Sequence, residues 1–280
     1  MSQEGWVDVG GRNTELSRGG WLDVGGGRLR WTAAGEGAPL VLLHGFSFDQ
    51  RLWDPQVGPL SKQHRVVRYD LRGFGSSTNP AGGYRHIDDL RVLLHSLNIE
   101  RAVLVGLSLG ANVALAYAIQ HPQEVAGLVL ASPGLAGHHW AVQRPPEAVA
   151  AHAASYGVAA GRKFWLEQPI FASTRRYPRA RIAVEEMVQG YNGWHWQNAD
   201  LQQPGPDVRA GLAALPVPAL VISGDLDVDG YREIAAEIAA ALPHGQLARF
   251  ADAGHVMNLE EPERFNSRVL EFVREVATQD

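Results

Sequence analysis

Cysteine is missing from all 280 residues. That excludes a disulfide framework, a thiolate metal site and a cysteine nucleophile, and it suits a reducing compartment, so the cytoplasm is the expected location. Also missing is any apolar run of roughly 18 residues, so no membrane helix and no membrane partner are expected. The N-terminus is rich in Gly and Asp and carries no apolar stretch of the signal-peptide kind. Lys and Arg form no long run and the net charge is −5, which gives no footing for nucleic acid. What is present, 45% hydrophobic and 20% charged residues, is the composition of a folded globular chain.

Near the start a short pattern occurs twice. Gly5-Trp6-Val7-Asp8-Val9-Gly10-Gly11 returns as Gly20-Trp21-Leu22-Asp23-Val24-Gly25-Gly26. The second copy runs on into Arg28-Leu29-Arg30-Trp31-Thr32, whose alternation predicts an antiparallel hairpin. The first copy is then an extra edge strand or a loose arm, in an extension of residues 1–19. Two copies are too few for a solenoid.

From Pro39 onward, short apolar runs alternate with helical patterns. Strands are expected at Pro39–Leu43, Arg65–Tyr69, Val103–Leu107, Val125–Leu130, Val217–Ser223 and Gln246–Phe250. Helices are expected over Trp53–Leu60, Tyr84–Leu97, the stretch after Ser108 to about His121, Ile234–Leu242 and Glu261–Val276. Such alternation predicts an α/β fold, a mainly parallel sheet with helices on both faces. The alternation lapses once. Residues 134–212 have no strand-like run, and alanine-rich pieces there alternate with proline, which predicts an inserted group of short helices. The core is therefore expected from 20–133 and 213–280.

One stretch organises the rest. Val103 to Leu115 reads as a buried strand, a sharp turn with Gly106-Leu107-Ser108-Leu109-Gly110, and a helix. Such a turn lifts the Ser108 hydroxyl off the sheet and leaves the Leu109 N–H facing whatever Ser108 attacks. A plain turn with Ser108 as a helix cap is the simpler use of the same pattern. A serine hydroxyl needs a base, and histidine is the usual one. Of the eleven histidines, His255 alone lies just beyond a strand end with a flexible Gly254 before it. His44 also ends a strand, but its Gly45 neighbour suggests that it organises the loop. A carboxylate must orient the imidazole. Strand Ala219–Ser223 ends in Gly224-Asp225-Leu226-Asp227-Val228-Asp229; Asp227 is preferred for its reach around the turn, with Asp225 as its rival. The second oxyanion donor should come from His44-Gly45-Phe46, and the Phe46 N–H is the choice beside that of Leu109.

With Ser108, Asp227 and His255 in that order, the chain resembles the α/β-hydrolase family from about Gly20 to its end. The resemblance rests on His44-Gly45-Phe46, Asp70-Leu71-Arg72-Gly73-Phe74-Gly75-Ser76-Ser77, the Ser108 turn, Gly224–Asp227, and Gly254-His255 with Asn258-Leu259-Glu260-Glu261-Pro262. Trp53-Asp54-Pro55-Gln56 and Arg65 to Asp70 are similar to 3-oxoadipate enol-lactonases and related small bacterial carboxylesterases. The resemblance implies an eight-stranded sheet, a helical cap after the sixth strand, no cofactor and no metal.

The expected activity is hydrolysis of a carboxylic ester or a lactone through an acyl-serine. The cap is rich in aromatics, which a small helical core needs anyway. Those facing the site would favour a small-molecule substrate of apolar or aromatic character, such as the methyl ester of a bulky aromatic acid. Trp140, Trp165, Trp194 and Trp196 are the candidates. The cluster Arg175, Arg176, Arg179 and Arg181 would suit an anionic substrate, though a solvated helix face explains it more simply. Two other classes remain open: a non-hydrolytic enzyme of this fold (C–C cleavage, lyase or perhydrolase), and a ligand-binding receptor with vestigial activity.

Overall fold

The computed structural model describes residues 5–6, 18–141 and 143–278. Most of the expected 1–19 extension therefore lies outside the described residues. Nine strands form one sheet: β1 (Gly5–Trp6), β2 (Arg18–Val24), β3 (Gly27–Ala34), β4 (Pro39–Leu43), β5 (Arg65–Tyr69), β6 (Ala102–Leu107), β7 (Val125–Ala131), β8 (Ala219–Gly224) and β9 (Gly245–Phe250). Their spatial order is β1-β2-β3-β5-β4-β6-β7-β8-β9. Strands β2 to β9 are the expected eight. The two-residue β1 adds one more at the edge, pairing Gly5 with Gly19 and Trp6 with Arg18, so the edge-strand reading of the first copy holds for those two residues.

The register follows from sequence. β2 and β3 make the predicted antiparallel hairpin, Val24 facing Gly27 across the turn. From β5 to β9 every pairing is parallel. β6 and β8 are buried at every residue, as helices on both faces of a parallel sheet require. Each aliphatic side chain so buried contributes about 1.5–3 kcal/mol relative to exposure. β9 ends the sheet and is half-open, with Leu247 exposed.

The helices are α1 (Asp54–Ser61), α2 (His86–Ser96), α3 (Leu109–Gln120), α4 (Pro145–Tyr156), α5 (Val158–Leu166), α6 (Pro178–Gly190), α7 (Trp194–Gln197), α8 (Val208–Gly211), α9 (Asp229–Ala241), α10 (Met257–Glu260) and α11 (Pro262–Ala277). Helices α4 to α8 all fall between β7 and β8. The last helix buries Phe265, Val269, Phe272, Val273 and Val276 along one stripe, which is why its pattern was legible. Strand order reverses between β4 and β6. Their carboxyl ends carry His44–Phe46 and Ser108, and the crevice at such a reversal is where open α/β sheets place their chemistry. Among the described residues, no helix is long and apolar enough to cross a membrane.

Candidate active site

Ser108 sits between β6 and α3 at φ 53° and ψ −112°. A non-glycine residue is strained there, at a cost of about 1–3 kcal/mol. Two backbone bonds hold it: its N–H donates to Ala131 O at 2.9 Å, and its carbonyl accepts from Asn112 N at 3.0 Å. The flanking glycines are required by space. A Cβ on Gly106 would lie 2.4 Å from the Gly110 carbonyl, and one on Gly110 would lie 2.0 Å from Leu43 O. The turn therefore closes only because both lack side chains.

His255 follows β9 and is 2% exposed. Its Nδ1 is 2.8 Å from Asp227 Oδ2. The carboxylate is fixed from two further sides. Ser132 Oγ donates to Oδ2 at 2.8 Å, and the Val228 N–H donates to Oδ1 at 2.8 Å. Asp225, the rival, turns outward and accepts from Arg249 Nε at 2.8 Å. Glu260 braces the His255 loop from behind: it accepts from the Gly254 N–H and from Ser173 Oγ, and burial holds its carboxyl above the usual range.

The loop after β4 carries the Phe46 N–H. Neither that amide nor the Leu109 N–H has a backbone partner among the described residues. His44 organises this loop: its Nδ1 donates to Gly45 O at 2.8 Å, and its Nε2 accepts from the Leu71 N–H at 2.9 Å. Those two roles require the neutral ring, and burial lowers its pKa accordingly.

Ser108 opens onto a cavity with two unequal lobes. The larger, about 400 Å³, has an apolar floor that includes Phe46, Phe74, Leu109 and Trp140, and a rim that includes Arg85 and Arg144. The smaller, about 10 Å³, lies by His255 between Phe48, Trp165, Ile170 and Phe171. That is scarcely room for one water. Of the four tryptophans singled out, Trp140 and Trp165 reach these lobes. Trp194 and Trp196 line neither. Trp196 is a packing residue of the insert, edge-on to Tyr191 with ring centres 4.9 Å apart. His195 between them does line the large lobe, stacked on Phe74 at 4.4 Å. The arginine cluster is elsewhere as well: Arg176 and Arg179 border a separate groove against α11, and Arg181 pairs with Glu185 at 2.7 Å.

The Alpha/beta hydrolase family matches residues 40–268. The chain belongs to that family. As an alpha/beta hydrolase it is 33% identical to 2-succinyl-6-hydroxy-2,4-cyclohexadiene-1-carboxylate synthase from an Enterobacter strain, over 82% of this chain and 90% of that protein. It is 29% identical to 3-oxoadipate enol-lactonase 1 of Acinetobacter baylyi, over 86% of this chain and 91% of that one. Among solved structures it resembles a thermophilic esterase from Thermogutta terrifontis, with a TM-score of 0.75 and 29% identity over 89% of this chain and 94% of that one. These relatives support hydrolysis of an ester or a lactone as the general activity, on small molecules.

Within this alpha/beta hydrolase the arrangement can do acyl transfer: a strained serine, a histidine held by a carboxylate, and two free amides at one crevice. Among the described residues no group of three or more His, Asp or Glu side chains is set to hold a metal. Sequence reasoning passed over four residues at the site. Ser132 follows β7 in Ala131-Ser132-Pro133, where no titratable neighbour draws attention to it. Arg85 fell inside the expected Tyr84–Leu97 helix and Arg144 just before α4; each is the residue preceding its helix. Tyr231 lies on the first turn of α9, which begins at Asp229 and not at Ile234 as expected. The apolar spacing Tyr231, Ile234, Ala235, Ile238 was the available signal.

Proposed function

We propose that the chain is a serine hydrolase of carboxylic esters or lactones, with Ser108 as nucleophile, His255 as base and Asp227 as its orienting acid. The observation that carries the reading is the 2.8 Å contact of His255 Nδ1 with Asp227 in a cavity that Ser108 shares. That contact leaves Nε2 as the nitrogen for the Ser108 proton. Ser108 Oγ attacks the carbonyl, and the amides of Phe46 and Leu109 hold the oxyanion. His255 then passes the proton to the leaving oxygen, and an acyl-serine remains. Water, activated by the same ring, releases the acid. The 134–212 insert acts as a cap over this site, and a cysteine-free chain fits the cytoplasm.

The lobes suggest the substrate. The leaving oxygen must lie by His255, beside the lobe of about 10 Å³, while the lobe of about 400 Å³ receives the acyl part. That favours a bulky, partly aromatic acyl group joined to a small alcohol such as methanol. Arg85 and Arg144 also line this lobe, each paired with an acid (Asp88 and Glu147), and would offer hydrogen bonds to a polar end. A panel of methyl, butyl and aryl esters with two lactones tests this, with Ser108→Ala beside the parent chain. Serine-dependent turnover led by methyl esters of aromatic acids is the expected result. The relative named as a synthase favours one second reading, a non-hydrolytic reaction at the same residues. Turnover with no acyl-serine formed would select it.

A further inference from the structure

Tyr231 borders the reaction centre and has no part in the mechanism above. It projects from the first turn of α9, four residues after Asp227, and is 5% exposed. Its ring lies 4.4 Å from that of His255, and Trp140 meets its other side edge-on at 5.0 Å. Its side chain lines the same two lobes as Ser108. It borders both lobes, so it stands where the acyl part and the leaving part of a substrate divide.

The side of the serine matters. The Phe46 and Leu109 amides approach from the β4 loop and the start of α3. Tyr231 belongs to the helix that follows the Asp227 loop, and its ring packs on that of His255. It is therefore placed for the leaving oxygen, which lies by His255. Burial and the Asp227 charge push its phenol well above the ordinary tyrosine range, so it stays protonated and can donate.

We propose that Tyr231 is a further catalytic residue, whose hydroxyl donates a hydrogen bond to the leaving oxygen as the ester bond breaks. The proposal rests on the serine-hydrolase reading. Tyr231 keeps its own proton throughout. The bond from carbonyl carbon to leaving oxygen breaks, that oxygen takes the electron pair, and the proton it receives is the one His255 took from Ser108. The tyrosine shares the charge that builds on the oxygen before that proton arrives. Its contribution is therefore largest when the alcohol is a poor leaving group.

Two esters with the same acyl part, each compared between parent and variant so that the size of its own alcohol cancels, test this: ethyl and 2,2,2-trifluoroethyl phenylacetate. Fluorination makes the second alcohol a far better leaving group, while the acyl part is unchanged. Tyr231→Phe keeps the ring contacts with His255 and Trp140 and removes the hydroxyl alone. The expected result is a fall in kcat/KM of about 10- to 100-fold on the ethyl ester, the range for a lost hydrogen bond to developing charge, and of less than about 3-fold on the trifluoroethyl ester. Equal losses on the two esters, or no loss on either, would overturn the role. If Tyr231→Phe fails to fold, 3-fluorotyrosine at position 231 keeps the shape and strengthens the donor. The ethyl-to-trifluoroethyl ratio of kcat/KM should then rise, and an unchanged ratio overturns the proposal. A parent chain that hydrolyses neither ester in a Ser108-dependent way is a different failure: the serine-hydrolase reading falls, and this proposal with it.

Discussion

The loops at the strand ends and the helices α4 to α8 face each other across the cavity, and they are held in different ways. On the sheet side each group is fixed by polar contacts to parts of the chain remote in sequence. Asp227 meets His255 and Ser132, and Ser108 meets Ala131. On the helical side aromatic contacts join the polar ones. Trp165 Nε1 donates to Ser47 Oγ at 2.6 Å, Tyr177 donates to Asp252 O at 2.9 Å, and His195 stacks on Phe74. The difference separates two jobs. Chemistry needs positions held to a fraction of an ångström, and a parallel sheet supplies them through its backbone. Choice of substrate needs shape, and side chains on an aromatic layer outside the sheet can supply it and change without disturbing the chemistry.

Breaking the sheet side should have the largest effect. Ser108→Ala should lower kcat by about 10⁴-fold or more, with the melting temperature retained. Steady-state kinetics beside a thermal melt checks both halves. Asp227→Asn should cost about 10³- to 10⁴-fold, while Asp225→Asn, aimed at a residue that faces Arg249, should cost less than about 3-fold. Similar losses in the two variants would contradict the assignment. Gly110→Ala forces a Cβ to within 2.0 Å of Leu43 O and should destabilise the fold by about 3 kcal/mol or more. Denaturant unfolding would read that loss.

Changes on the helical side should be smaller and should fall on binding. Trp140→Ala should raise KM for a bulky ester several-fold, by about 3- to 10-fold, and leave kcat within about 2-fold. Trp194→Ala, at a residue that lines neither lobe, should leave both unchanged. A KM change of equal size in the two variants would erase the distinction.

The smallest effect concerns pH. Burial lowers the pKa of His195 from 6.5 to about 4, and that of His86 to about 3. Both rings stay neutral in the fold while the unfolded chain protonates them. Their contribution is complete above pH 6.5 and is lost as pH falls toward 4. His195→Gln should make the melting temperature less steep between pH 6.5 and 4. An identical slope in parent and variant would remove this contribution.

The two sides also differed in how far they could be read from the sequence. β6, β8 and the Ser108 turn announce themselves, because a strand buried on both faces must be an unbroken apolar run and a turn this tight admits only glycine two residues to either side of the serine. His255 and Asp227 follow from their places just past strand ends. Choosing Asp227 over Asp225 was a matter of reach, and the Arg249 contact gives a geometric ground that no spacing contained. The insert resisted for a physical reason. Its helices pack through contacts between residues far apart in the chain, so an aromatic that lines the cavity (Trp140) and one that fills the insert's own core (Trp196) share the same local pattern. Tyr231 was hidden differently. Asp227-Val228-Asp229-Gly230 reads as loop, and glycine weakens the local helix signal just where α9 begins.

The central claim is that Ser108 carries the acyl group between the two halves of the reaction. Its most direct test is intact-mass measurement after rapid acid quench of the enzyme with a slowly deacylating aryl ester, followed by peptide mapping. One acyl adduct per chain, located on Ser108 and absent from Ser108→Ala, is the predicted result. Turnover with no adduct, or an adduct on another residue, would contradict the account.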